Sequence, residues 1–136
     1  MRFNLRDLLW NKHRLLADEK LLGRWCEKRC EKFLKRKGKR TLARNFRCKT
    51  GEIDLVMVDG DGTLVFVEVK TRANEDFSPS ESAITSAKKT RMLRAARYFL
   101  STNRIEDRPF RFDVVTIVLA EKGPARIRHY ENAFVP

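Results

Sequence analysis

Two short stretches hold residues that fit poorly with their surroundings. Leu64-Val-Phe-Val-Glu-Val-Lys70 is an apolar strand pattern interrupted by Glu68 and Lys70. Side chains alternate across a strand, so these two project from one face while Val65, Val67 and Val69 take the other. A carboxylate and an ammonium inside core sequence are costly unless they pair or bind something. The plain alternative is a buried salt bridge or a strand end emerging into solvent. Upstream, Gly51-Glu-Ile-Asp-Leu55 sets Asp54 between two apolar residues. The turn Asp59-Gly60-Asp61-Gly62 folds this strand back on the next, bringing Asp54 beside Glu68 if both share a face of the sheet. Two carboxylates placed so repel each other unless a cation intervenes. Mg2+ (or Mn2+), a hard cation that takes oxygen ligands, turns that repulsion into coordination. The matching chemistry is phosphodiester hydrolysis: the cation activates water and polarises a phosphoryl oxygen, and Lys70 orients the water or stabilises developing charge.

The elements that must position these residues follow from periodicity. Leu15 to Lys37 has helical spacing, with Leu22, Cys26, Cys30 and Phe33 on one face, Leu21, Trp25 and Leu34 flanking it, and Gly38 as the stop. Strands are expected at Thr41–Cys48, Ile53–Val58 and Leu64–Thr71, then a polar loop from Arg72 to Ser82. Helical spacing returns over Ser82–Leu100 with Ile84, Met92, Ala95, Ala96 and Phe99 on one side. Phe110–Ala120 reads as a buried strand, and Arg126–Tyr130 as an edge strand after the Gly123-Pro124 turn. The expected architecture is α/β, a central mixed sheet flanked by helices in the order αβββαββ. Residues 1–14 are expected to be a basic N-terminal arm.

Charge is unevenly placed. Residues 1–49 carry 17 Lys and Arg against 5 Asp and Glu, whereas 50–136 carry 13 of each. The whole excess of +12 therefore sits on the N-terminal third, which suggests a surface facing a polyanion. The densest run is Lys35-Arg36-Lys37-Gly38-Lys39-Arg40, read either as phosphate contacts or as a solvated helix end. No apolar run approaches a membrane span, and nothing resembles a secretory signal, so a cytoplasmic protein is expected. Cys26, Cys30 and Cys48 are then expected as free thiols. A zinc site would need His13 or His129 and is the lesser reading. Trp25, Phe46 and Phe77 lie near basic residues and suit base stacking, but core packing is the expectation for Trp25 and Phe46. Neither the Rossmann nor the P-loop glycine pattern occurs, so no nucleotide cofactor is expected.

Asp54 … Glu68-Val69-Lys70 resembles the PD-(D/E)xK motif of restriction-endonuclease-like nucleases. The wider string is similar to the YraN-like family of small bacterial proteins. It comprises Arg44-Asn45-Phe46-Arg47, Gly51-Glu52-Ile53-Asp54-Leu55, Phe66 to Arg72, Arg111-Phe112-Asp113-Val114-Val115 and Asn132-Ala133-Phe134. The resemblance runs from about Gly23 to Phe134 and implies a single endonuclease-like domain over 15–136, similar in fold to Holliday-junction resolvases. It also implies a fourth site residue, Glu27, in Gly23-Arg24-Trp25-Cys26-Glu27, where Cys26 stands in place of the usual Gly. The motif's Pro is replaced by Ile53. In such a fold the second helix flanks the active centre, which makes Lys88 a candidate contact with phosphate; snorkelling is the alternative.

The expectation is thus a Mg2+-dependent nuclease acting on DNA, with branched or junction DNA among its substrates. Asp54 and Glu68 bind the metal with the Val69 carbonyl, Glu27 assists, and Lys70 serves the water. Lys88, Arg72, Arg44, Arg47 and the run Lys35, Arg36, Lys37, Lys39, Arg40 hold nucleic acid. A homodimer is expected by analogy with resolvases, and no membrane association. Asp113 is left as a structural acceptor. The rival from another class is a nucleic-acid-binding module of nuclease-like fold that does not cut. A third reading is an adaptor whose basic surface binds an acidic protein or ribosomal RNA.

Overall fold

The computed structural model describes residues 19–72, 85–119 and 123–135. The expected arm, Ile84, Phe77 and His13 lie outside them. Helix α1 spans Glu19–Arg36, strands β1, β2 and β3 span Arg40–Cys48, Gly51–Val58 and Leu64–Arg72, helix α2 spans Ser86–Thr102, and strands β4 and β5 span Phe110–Val118 and Arg126–Phe134. The strands form one sheet in the order β1-β2-β3-β4-β5. β3 and β4 are parallel and joined through α2, while the other neighbours are antiparallel. The protein is therefore a mixed α/β fold of five strands and two helices among the described residues.

Alternation along β3 divides the interior into two layers. Leu64 and Phe66 pack with Met92, Ala95, Ala96 and Phe99 of α2. Val65 and Val67 pack with Cys26, Cys30 and Leu34 of α1. The helices thus cover opposite faces of the sheet, each through the stripe its spacing dictates. Each large apolar side chain fully buried here contributes about 1.5–3 kcal/mol. α1 ends at Gly38, whose φ of +94° supplies the left-handed cap; Lys39 N–H then donates to the Leu34 carbonyl at 3.2 Å.

α2 starts at a Thr85 N-cap, whose hydroxyl accepts from Lys88 N–H at 3.2 Å and fixes Lys88 in the first turn. The helix lies in backbone contact with the start of β2. A β-carbon added at Gly51 would sit 2.1 Å from the Arg91 carbonyl oxygen, so only glycine fits.

Candidate functional site at the parting of two strands

β2 changes partners at Asp54. Its ladder with β3 covers only Leu55–Val58 against Val67–Leu64, whereas its ladder with β1 continues to Gly51. Face alternation also breaks here: Ile53 packs in the α2 layer, yet Leu55, two residues on, packs in the α1 layer. On β1, Asn45 takes a φ of +49° between the paired residues Arg44 and Phe46. Where the β2 backbone leaves β3, the Asp54 side chain takes its place, with Oδ2 accepting from Val69 N–H at 2.8 Å.

This gap gathers charge. Glu68 is 3% exposed, and its Oε1 lies 2.8 Å from Lys88 Nζ and 3.6 Å from Lys70 Nζ. Glu68 Oε2 is buried with no hydrogen-bond donor among the described residues. Burial, and then the negative charge of Glu68, push the Asp54 carboxyl up to about 7 against the pull of Val69 N–H. Burial also raises Glu27, reinforced by Glu68 and opposed by the Asn45 side chain and Arg47. Burial would lower the Lys88 ammonium, but Glu68, with Asp54 and Glu52, outweighs it and holds Lys88 above the usual lysine value.

Asp54, Glu68, Lys70 and Lys88 therefore converge. Glu27 feels the charge of Glu68 from the α1 side, but no ion pair or hydrogen bond joins it to these four among the described residues. The oxygen donors of Asp54 and Glu68 fit a hard divalent cation, which would relieve both the donorless Glu68 Oε2 and the raised Asp54. A proton shared by the two carboxyls relieves the same strain. Among the described residues no three His, Cys, Asp or Glu side chains form a group able to hold a metal. The cation would therefore rest on two carboxylates and backbone or solvent oxygens.

The candidate phosphate contacts fall into two sets. Arg47 and Lys88 line a cleft beside Glu68, and Arg72 ends β3 two residues past Lys70. The basic run lies elsewhere, at the end of the sheet where Arg40 pairs with Val58. Lys70 is six residues along β3 from Leu64, the residue paired with Val58, so the run stands about 20 Å away along the strand. Within the run, Lys39 is buried and pairs with Asp59 at 3.7 Å, and Lys35 pairs with Glu31 at 3.5 Å. Lys37 Nζ meets His129 Nδ1 at 2.7 Å, while Arg36 and Arg40 are exposed. Arg44 binds Glu31, with one guanidinium nitrogen at 2.7 Å.

Asp113 has the structural role expected of it. Its carboxylate accepts from Arg111 Nε at 3.0 Å, His129 Nε2 at 2.6 Å and Asn132 N–H at 2.9 Å. Lys37 donates to Nδ1, so His129 carries its hydrogen on Nε2 and presents it to Asp113.

Cys26, Cys30 and Cys48 are free thiols, the first two buried against the sheet. Burial, with Cys26 and Asp54 adding, pushes Cys30 up to about 12, which suits a neutral apolar filler. Phe46 packs edge-on against Phe99 with ring centroids 5.2 Å apart, and Trp25 packs against the α1 layer. Sequence reasoning passed over Lys49, Glu52 and Arg91, which line the cleft with Lys88. The available signals were Arg91 one helical turn beyond Lys88 and Gly51 beside Lys49-Thr50. None of the helices is long and apolar enough to cross a membrane among the described residues.

The comparisons agree with one another. The profile of "Uncharacterised protein family UPF0102" matches residues 26–117. A UPF0102 protein of Pelobacter propionicus is 42% identical over 118 residues, covering 86% of this chain and 84% of the relative. Another from Pelotomaculum thermopropionicum is 41% identical over 121 residues, 88% of this chain and 100% of the relative. A third, from Caldicellulosiruptor saccharolyticus, is 40% identical over 114 residues, 83% of this chain and 96% of the relative. With the match running from α1 to the end of β4, the chain belongs to the UPF0102 (YraN-like) family.

Proposed function

We propose that this protein is a divalent-metal-dependent nuclease of restriction-endonuclease-like fold that hydrolyses phosphodiester bonds in DNA, branched or junction DNA included. The observation that carries the reading is the Asp54–Glu68–Lys70–Lys88 cluster at the parting of β2 and β3, with a buried carboxylate oxygen still short of a donor. Asp54 and Glu68 would hold Mg2+ or Mn2+, with the Val69 carbonyl as a further ligand and Glu27 assisting from α1. The ion would supply Lewis acidity at the phosphoryl oxygen and a more acidic water. Lys70 keeps a cationic donor 3.6 Å from Glu68, placed to orient an attacking water and to stabilise charge as it develops. Lys88 fixes the Glu68 carboxylate at 2.8 Å and presents positive charge to an entering phosphate. Arg47 and Arg72 would hold flanking phosphates.

A second reading, a nucleic-acid-binding module that does not cut, draws on the same two lysines, because they already neutralise Glu68 without a cation. Incubating the protein with Mg2+ or Mn2+ and single-stranded, duplex, flap and four-way-junction DNA separates the two. Cleavage is expected in the wild type and should drop about 10²–10⁴-fold in Lys70→Ala. Equal cleavage by the variant would sink the catalytic assignment. Salt-sensitive binding with no cutting of any substrate would establish the binding module instead.

A further inference from the structure

Beside the carboxylate cluster lies a cleft of about 400 Å³ lined by Arg47, Cys48, Lys49, Thr50, Gly51, Glu52, Lys88 and Arg91. It exists because the β1–β2 turn and α2 touch backbone to backbone at Gly51 and Arg91, which sets the cations of the turn opposite those of the helix. Four cationic residues face one carboxylate, and that carboxylate, Glu52, is itself paired with Arg47 at 3.4 Å. Lys49 and Arg91 are exposed and have no ion-pair partner among the described residues. The cleft is open to solvent and larger than a lone phosphate needs. Lys88 joins it to the site, since one side of this residue lines the cleft and its ammonium rests on Glu68.

We propose that this cleft is a strand-binding subsite, in which Lys49, Thr50 and Arg91 hold the sugar-phosphate backbone next to the phosphodiester at the carboxylate cluster. The naming of that neighbouring phosphate rests on the nuclease reading; the binding of a nucleic-acid strand in the cleft does not. Lysine and arginine on a turn and a facing helix supply ionic contacts without base readout, so binding is tolerant of sequence and sensitive to salt.

Cys48 provides a native probe, because it lines the cleft and is half-buried while Cys26 and Cys30 are fully buried. Wild-type protein in chelator is alkylated with iodoacetamide, with and without saturating single-stranded or duplex DNA oligonucleotide, and the modified cysteine is mapped by mass spectrometry. Bound DNA is expected to slow Cys48 alkylation several-fold. Lys49→Ala/Arg91→Ala is expected to weaken DNA binding roughly tenfold or more at moderate salt and to reduce the salt slope by about 2. Unchanged Cys48 reactivity under saturating DNA overturns the subsite even if the double variant misfolds. A folded double variant that binds like the wild type does the same, and Lys70-dependent cleavage would then leave the nuclease reading intact. Protection of Cys48 without cleavage of any DNA keeps the subsite and removes the nuclease.

Discussion

Asp54, half-buried, and Asp113, fully buried, are two aspartates with similar surroundings in the chain and opposite electrostatic fates. Asp54 sits where the β2–β3 ladder ends and Asp113 where the β4–β5 register shifts, each near an asparagine at a φ of +49°, Asn45 in one case and Asn132 in the other. Each carboxylate replaces a lost ladder bond, Asp54 at Val69 N–H and Asp113 at Asn132 N–H. Asp113 then collects Arg111 and His129 as well, and despite burial these donors hold it below the usual carboxylate range. Asp54 gains no such donors and faces Glu68, so burial and repulsion push it up to about 7. A protein that needed only to close a gap in the sheet would give both residues the arrangement of Asp113. Leaving Asp54 and Glu68 short of donors destabilises the fold, and such sites are where function is to be sought.

The sharpest way to break this contrast is to neutralise each aspartate in turn. Asp54→Asn keeps an oxygen for Val69 N–H but removes the charge. Metal-dependent cleavage, measured on the best DNA substrate, should fall about 10³-fold, equivalent to about 4 kcal/mol. Asp113→Asn removes the charge that Arg111 and His129 are arranged around. It should cost about 3–5 kcal/mol in chemical denaturation, because buried partners are left uncompensated. Comparable stability losses in the two variants would erase the distinction.

In chelator the two variants should also differ in sign. Asp54 has a folded value of about 7, above its ordinary 3.8, so the folded state holds more protons between those limits. Its contribution is full below pH 4 and is lost as pH rises through 7. Asp54→Asn should therefore match the wild type at pH 4 and exceed it by about 1–2 kcal/mol at pH 8. Asp113 is depressed below 3.8, so its contribution is present above pH 4 and lost on acidification. Adding Mn2+ to about ten times its dissociation constant should restore about 1.4 kcal/mol to the wild type at pH 8 and nothing to Asp54→Asn. Equal metal stabilisation of both proteins would place the ion elsewhere.

The chain shows why one of these sites was legible and the other only partly so. Glu68 and Lys70 stand out because alternation along β3 makes their neighbours core and leaves them anomalous. Most strands and helices were readable for the same reason, and Gly38 marked the helix end. Asp54 was readable as an anomaly, but its meeting with Glu68 depends on β2 parting from β3, which no residue type announces. Asp113 was readable as an acceptor, whereas Lys37, His129 and Asp59 reach its neighbourhood from distant segments. Charge density in the sequence marked the run Lys35–Arg40, yet folding turns Lys39 inward and stations the run away from the carboxylates. Lys49 and Arg91 escaped notice because they meet only when Gly51 lets the β1–β2 turn touch α2.

A further carboxylate, Glu31, tests whether a full set of donors is what marks the structural class. Glu31 is 6% exposed, and Arg44 and Thr41 both hydrogen-bond to it. Burial alone would raise it, but these donors outweigh burial and hold it at about 2. With a folded value below the ordinary 4.5, its contribution is present above pH 4.5 and drains away as pH falls towards 2. Arg44 is 59% exposed, so solvent screens the pair and the effect should be the smallest of this series. Arg44→Ala is expected to move the acid-unfolding midpoint slightly upward and to leave stability at pH 2 unchanged. If Arg44 acts through Glu31, the salt slope of DNA binding should also remain that of the wild type, unlike that of Lys49→Ala/Arg91→Ala. A shallower slope with an unmoved acid midpoint would instead place Arg44 among the phosphate contacts, and satisfaction by donors would no longer separate structural from functional carboxylates on this face of the sheet.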